Sequence, residues 1–416
     1  MKKSFFGKKF LVKIFNLFVI LNFNIFEETY TWKGSVSDNW NDAGNWDETS
    51  ATPDGYNIIL AKGTPYDVDF STRNTFDFDS LVVESGVTIG IDTDITVTNT
   101  FTNNGTVTVS GCGIIITCGS IENNGSFNFA SNSVNCGYLQ NRGTLSFTGN
   151  LDVTNNATFT RDFTNEGTVT VNNNATFSDT FTNKGNFSIT GDGIFSSDVI
   201  NDGGTISISK NASFSVSLTN DGTITCGSGD FTVTEFYSGT GNLSFTSGNA
   251  TFSGAVTNNG TITCGSGELL VNGNYSGSGE LTLSSETSTF KGGTVDFSDT
   301  KLFHNGGTII FANEPSGSYG QVALTVNDTV FNDVQIGTND KTVKITVDGN
   351  LIVEGNFFAT NPTNFFGTEQ TSTYKNITFS GSNKTISFAG KNTFTELNIS
   401  GEASIVALAS ANTIGT

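Results

Sequence analysis

The stretch FTNNGTVTV at 101–109 returns as FTNEGTVTV at 163–171 and, more loosely, as FTNKGNFSI at 181–189. Taking the glycine of each Asn-x-Gly as zero gives Gly105, Gly125, Gly143, Gly167, Gly185, Gly203, Gly222, Gly260 and, in HNGGT, Gly307. The spacings are 20, 18, 24, 18, 18, 19, 38 and 47. The sister phrases YSGTGNLSF and YSGSGELTL add Gly241 and Gly279, so that 222, 241, 260 and 279 follow one another at 19 residues. A unit this short cannot bury a core alone. Its copies must stack, and the stack is the fold.

Fixed offsets from these glycines test the idea. At −4 stand Phe101, Ile121, Leu139, Phe163, Phe181, Val199, Leu218, Tyr237, Val256 and Tyr275. At −8, seven consecutive units place Phe159, Phe177, Phe195, Phe214, Val233, Phe252 and Val271. At +2 and +4 most units hold an apolar pair, such as Val107/Val109 or Leu243/Phe245, with Thr or Ser between. Alternation of this kind marks strands with one buried face. The expected fold is all-β, a right-handed parallel β-helix (solenoid) with coils of about 19 residues, in which each offset becomes a column along the axis. Each buried Phe contributes about 1.5–3 kcal/mol to such a column. Asn at −2 and Gly at zero read as the corner: Gly for a positive φ, Asn for backbone bonds and for stacking amide on amide.

Composition agrees. Gly (48 residues) and Phe (37) are abundant while charged residues make up only 14%, and the strong helix formers are scarce. The 39 acidic residues exceed the 19 basic ones, giving a net charge of −20. Such a surface repels phosphate backbones and anionic lipid, so no nucleic-acid partner is expected.

Four segments emerge. Residues 1–28 open MKKSFFGKKFLVKIF, basic and then apolar, the order of a secretory signal. Residues 29–100 hold all three tryptophans, Trp32, Trp40 and Trp46, and are expected to cap the open end of the stack and form its first coils. The alternatives for this region are a tryptophan platform for sugar and a calcium site in the acidic loop of Asp38, Asn39, Asn41, Asp42 and Asp47, although that spacing misses the EF-hand pattern. Residues 101–310 are the regular repeats. Residues 311–416 keep the alternation with a blurred period and end without an evident cap, which reads as a chain that continues.

Catalytic equipment is sparse. The single histidine, His304, lies at −3 on a turn, which leaves no His-based triad or multi-histidine zinc site. Among three arginines, Arg73, Arg142 and Arg161, the latter two do not share a column. Asp77/Asp79 and Asp92/Asp94 pair carboxylates in the way glycosidases do, but alternating acids on an outer strand face give the same pattern. The five cysteines lack metal spacing. Cys226 and Cys264 fall in the buried +4 column two coils apart, beyond disulfide reach, whereas Cys118 and Cys136 fall in adjacent coils within it. No catalytic, cofactor-binding or metal-binding residue is assigned and no cofactor is expected.

The N-x-G-T-Φ-T-Φ phasing resembles the repeats of filamentous-haemagglutinin-type adhesins and autotransporter passenger regions, and W-K-G-x-x-S-x-N-W…N-W from Trp32 to Trp46 looks like the segment that often opens such exported proteins. The resemblance covers about residues 29–310. It implies a β-helix displayed on a bacterial surface. The expected function is therefore structural and adhesin-like: a secreted or cell-surface rod without catalysis, meeting a host, matrix or cell-surface ligand by multivalent contacts. The rival functions are a β-helix polysaccharide lyase or glycoside hydrolase and an ice-binding-like solenoid carrying Thr at +1 and +3.

Overall fold

The computed structural model describes residues 28–47, 55–61, 63, 68, 70, 75–110, 113–129, 132–313, 320–338, 343–360, 370–382, 384–400, 405–408 and 413–414. The expected signal segment, apart from its last residue, and Arg73 and Cys112 lie outside the described residues. The chain is an all-β solenoid of parallel strands with a spacing of about 19 residues. One coil shows the plan. Thr168–Val171 forms a first face, Ala175–Phe177 a second and Phe181–Asn183 a third. Each strand pairs in parallel with its successor, Thr168 opposite Asn186, Ala175 opposite Gly193 and Phe181 opposite Val199.

The pattern of burial follows the pleat. Thr168 to Val171 alternate outward and inward, and the three-residue strands of the other faces send their ends inward and their middle residue out. Phe159, Phe177, Phe195 and Phe214 form the expected ladder on the second face: successive ring centroids are 4.6, 4.9 and 4.6 Å apart, with planes 3°, 7° and 2° from parallel. Coils related by so little rotation are translated copies of one another, and in-register ladders of this kind hold a sheet flat.

The asparagines form internal ladders as well. Asn103 donates to Asn123 at 2.8 Å and Asn123 to Asn141 at 2.7 Å. In a second run Asn165, Asn183, Asn201 and Asn220 are each joined to the next at 2.8 Å. All seven are fully buried, where an amide survives only with its bonds made.

These two runs are not one column, and here the structure corrects the expected alignment. Asn103, Asn123 and Asn141 end strands of the second face, and Asn141 pairs onward with Phe159, so that column continues as phenylalanine. Asn165 and its successors end strands of the third face. The motif moves by one corner inside the 24-residue interval from Gly143 to Gly167, where the chain turns early at Gly149 and lays Asn150–Val153 on the first face. Each corner is built alike: Asn103 Oδ1 accepts from the Gly105 amide at 3.0 Å, and Asn165 Oδ1 from the Gly167 amide at 3.1 Å. The motif therefore encodes a turn, not a particular corner. The last member differs again. Asn305 is exposed with φ of 51°, and the His304–Gly307 turn joins the first face to the second.

The expected positive φ at the corner glycines is also corrected. Gly105, Gly125, Gly143, Gly167, Gly185, Gly222, Gly241, Gly260 and Gly279 are absent from the positive-φ residues. What they need is space, because a Cβ on Gly125 would collide with the Gly105 carbonyl, and one on Gly260 with that of Gly241. In NDGGT it is Gly204 that stacks on Gly185, while Gly203 supplies φ of 75° to fit the additional residue.

Towards the C-terminus the coils lengthen: Phe311 pairs with Ile336, 25 residues on, and Ala359 with Phe388, 29 residues on. Strands Val343–Val353 and Thr371–Phe379 run from the third face into the first without a break, with a register shift between Val347 and Asn350 and φ of 107° at Gly349.

Candidate functional site

Trp32, Trp40 and Trp46 are buried at the N-terminal end. Trp40 and Trp46 meet edge to face at 4.5 Å, and Trp40 packs on Phe76 at 5.1 Å and Phe78 at 5.3 Å. All three rings are packed within this buried cluster, which leaves no exposed ring face on which a sugar could stack. Three side chains of the adjoining acidic loop accept bonds from nearby backbone amides. Asp42 Oδ1 accepts from the Gly44 amide, Asn39 Oδ1 from the Asn41 amide and Asp47 Oδ1 from the Thr31 amide, all within 2.9–3.0 Å. Fully buried Asn45 ties the loop inward through Val36, Ser37 and Asn39.

The other candidates are dispersed. His304 Nδ1 accepts from the Gly306 amide at 3.0 Å and its Nε2 lies 3.6 Å from Glu354 at the surface. Arg142 and Arg161 are exposed on different coils, and Asp77 and Asp92 point outward. Asp94 Oδ1 caps the Ile115 amide of the next coil at 2.9 Å. Cys226 and Cys264 are buried in one inward column with Phe245 next above Cys226, and burial pushes each thiol up to about 12. Cys118 and Cys136 are direct partners on neighbouring coils, both free thiols. Burial, then the Cys136 thiol beside it, drives Cys118 upward, and burial with Asp152 raises Cys136 to about 12. These are core groups with little thiolate character, not nucleophiles. Among the described residues no three His, Cys, Asp or Glu side chains gather around a point, and no helix is long and apolar enough to cross a membrane.

The outer surface is more ordered than the sequence suggests. On the first face Thr168, Asn186, Thr205, Thr223, Asn242 and Thr261 form one outward column, and Thr170, Ser188, Ser207, Thr225, Ser244 and Thr263 run beside it. Strand geometry sets the columns about 6.6 Å apart with a step of about 4.8 Å. No register shift and no charged side chain interrupts these six coils; Asp152 bounds them on one side and Glu280 on the other.

Within these six coils charge is confined to the corners, where a second ladder escaped sequence reasoning. Asn156 Oδ1 accepts from the Asn174 amide, and the same bond is repeated through Asp192, Asn211, Asp230 and Asn249 to Glu268, at 2.8–3.2 Å. Each donor reaches the coil before it, so these exposed and half-buried Asx side chains lock one coil to the next. The signal was legible: Asn156, Asn174, Asn211, Asp230, Asn249 and Glu268 all stand eleven residues before their glycine.

A concave place lies near the C-terminal end, a groove of about 210 Å³ lined by Asp328, Asn350, Asn376, Thr378, Glu396 and Asn398, with the inward Ile377 beneath them. It begins where pairing resumes after the register shift between Val347 and Asn350, a place where a strand bends and re-aims its side chains. No protein-family model, curated protein or solved structure matches this chain.

Proposed function

We propose that the chain is an extracellular structural rod, secreted or held at a cell surface, that attaches to host, matrix or cell-surface ligands through many weak repeated contacts and performs no catalysis. The observation that carries this reading is the first face, where six successive coils present the same pair of uncharged hydrogen-bonding groups in register. A single such contact is weak, and contacts repeated at a fixed step add by effective concentration. The basic-then-apolar opening supports export, and the resemblance of the repeat to filamentous-haemagglutinin and autotransporter passengers supports surface display. A fold hosts many functions, so the reading rests on the surface and not on the solenoid itself.

The test compares monomer with a polyvalent array of the purified chain on cells, matrix proteins and glycans, beside a polysaccharide-cleavage assay. The array is expected to bind where monomer is barely detected, with no cleavage. Robust glycan turnover would replace this reading with the lyase or hydrolase one, and equal, negligible binding by both formats on every surface would remove it.

A further inference from the structure

The groove near the C-terminus is concave, polar in its outward groups and built beside an irregularity of the solenoid. Asn350, Asn376 and Glu396 are direct partners on three successive coils. Asp328 precedes them by one coil and accepts from Asn350 Nδ2 at 2.7 Å. Thr378 and Asn398 are partners in the neighbouring outward column, and Thr378 lies 3.5 Å from Asn350 Oδ1.

The arrangement speaks about the shape of its ligand. Asp328 and Glu396 are three coil steps apart, about 14 Å. A calcium ion holds its oxygens at about 2.3–2.6 Å, so these two carboxylates cannot share one. An extended ligand lying along the axis meets in turn a carboxylate, two amides and a carboxylate. Sugar hydroxyls both donate and accept; carboxylates take their protons, and each amide offers a donor and an acceptor. An anionic ligand is disfavoured by the two carboxylates and by the net charge of −20.

We propose that this groove binds a short stretch of neutral oligosaccharide, its chain running along the solenoid axis across Asp328, Asn350, Asn376 and Glu396. The assignment rests on the attachment reading above and gives that reading a specific site, with the repeated face as an auxiliary surface.

The experiment uses the full chain against an array of neutral linear oligosaccharides, with uronic-acid oligomers and calcium chloride alone as comparison probes. Variants are Asn376→Ala and Glu396→Ala in the groove and Thr232→Ala on the second face, each checked for an unchanged thermal transition. Glu396 is exposed, so its variant reports on the site even where Asn376→Ala weakens the coil. The expected result is binding of a neutral oligosaccharide that falls at least tenfold in both groove variants and is unchanged in Thr232→Ala. Neutral-sugar binding that neither groove variant alters would overturn the site while leaving attachment standing. Calcium binding lost in the groove variants would overturn it in favour of an ion, and preference for the acidic oligomers would overturn the neutral ligand class. Failure of monomer and array on every surface would remove the attachment reading with it.

Discussion

Asn183 Nδ2 donates to Asn201 Oδ1 at 2.8 Å across two coils, with both amides fully shielded from solvent. Asn201 in turn donates to Asn220 at 2.8 Å and to the Thr223 carbonyl at 3.3 Å. A substitution at the middle of this ladder leaves a donor below and an acceptor above each short of a bond. Asn201→Ala is expected to lower unfolding free energy by about 1–3 kcal/mol. Urea unfolding followed by far-UV circular dichroism measures it, and a midpoint equal to that of the parent would show the ladder to be dispensable.

The corner glycines give a prediction that separates space from backbone conformation. A Cβ on Gly222 would run into the Gly204 carbonyl of the previous coil, whereas one on Gly90 meets nothing within 4 Å, and neither glycine has a positive φ. Gly222→Ala is expected to cost about 1–3 kcal/mol through forced coil separation. Gly90→Ala should be neutral or stabilise by up to about 1 kcal/mol, because alanine loses less backbone entropy than glycine on folding. Equal effects at the two sites in chemical denaturation would show that crowding is not what fixes glycine at the corners.

Much of this architecture was legible because alternation and period act locally. Phe159, Phe177, Phe195 and Phe214 recur at 18 or 19 residues, and that interval alone places them in one ladder. What the interval could not show is which corner a turn occupies. FTNNG at 101–105 and FTNEG at 163–167 make the same Asn-to-Gly amide bond, so their sequences are alike although they sit at different corners. Corner identity is set by pairing with the neighbouring coil, which is non-local information. The glycines were misread for a related reason, since contact with the coil below leaves no mark on the residue's own φ. The groove was not foreseen, because Asp328, Asn350, Asn376 and Glu396 meet only through the irregular spacings of 22, 26 and 20 residues that the lengthened coils create.

Buried thiols and phenols predict the alkaline limit of stability. Cys136, Cys226 and Cys264 rise from 9.0 to about 12, and Tyr237 and Tyr275 from 10.0 to about 12, chiefly by burial. In the unfolded chain these groups release protons from pH 9 to 10 upward, while the folded chain retains them to about pH 12. The unfolded state therefore binds fewer protons in that window, and stability falls as pH rises. It is fully present below pH 9. The thermal midpoint should decline steadily between pH 9 and 12, and Cys226→Val combined with Cys264→Val should flatten the decline. An unchanged slope in that double variant would assign the alkaline limit to other groups.

The cysteine pairs provide the sharpest check on register. Cys118 and Cys136 are direct partners on adjacent parallel strands, about 4.8 Å apart along the sheet and within the 4.4–6.8 Å between Cα atoms that a disulfide spans. Cys226 has Phe245 as its partner on the next coil, and Cys264 follows one coil further, about 9–10 Å from Cys226. Prolonged treatment of the folded monomer with an oxidant should yield the 118–136 bridge and no 226–264 bridge. The reaction should be slow, since both thiols are buried and shifted upward and exchange requires thiolate. Closing the 18-residue loop should raise stability by about 3 kcal/mol where the strands accept the bond without distortion. Peptide mapping by mass spectrometry reads both pairs in one digest. A 226–264 linkage in the folded monomer would show that the coils from 205 to 282 are not stacked in this register.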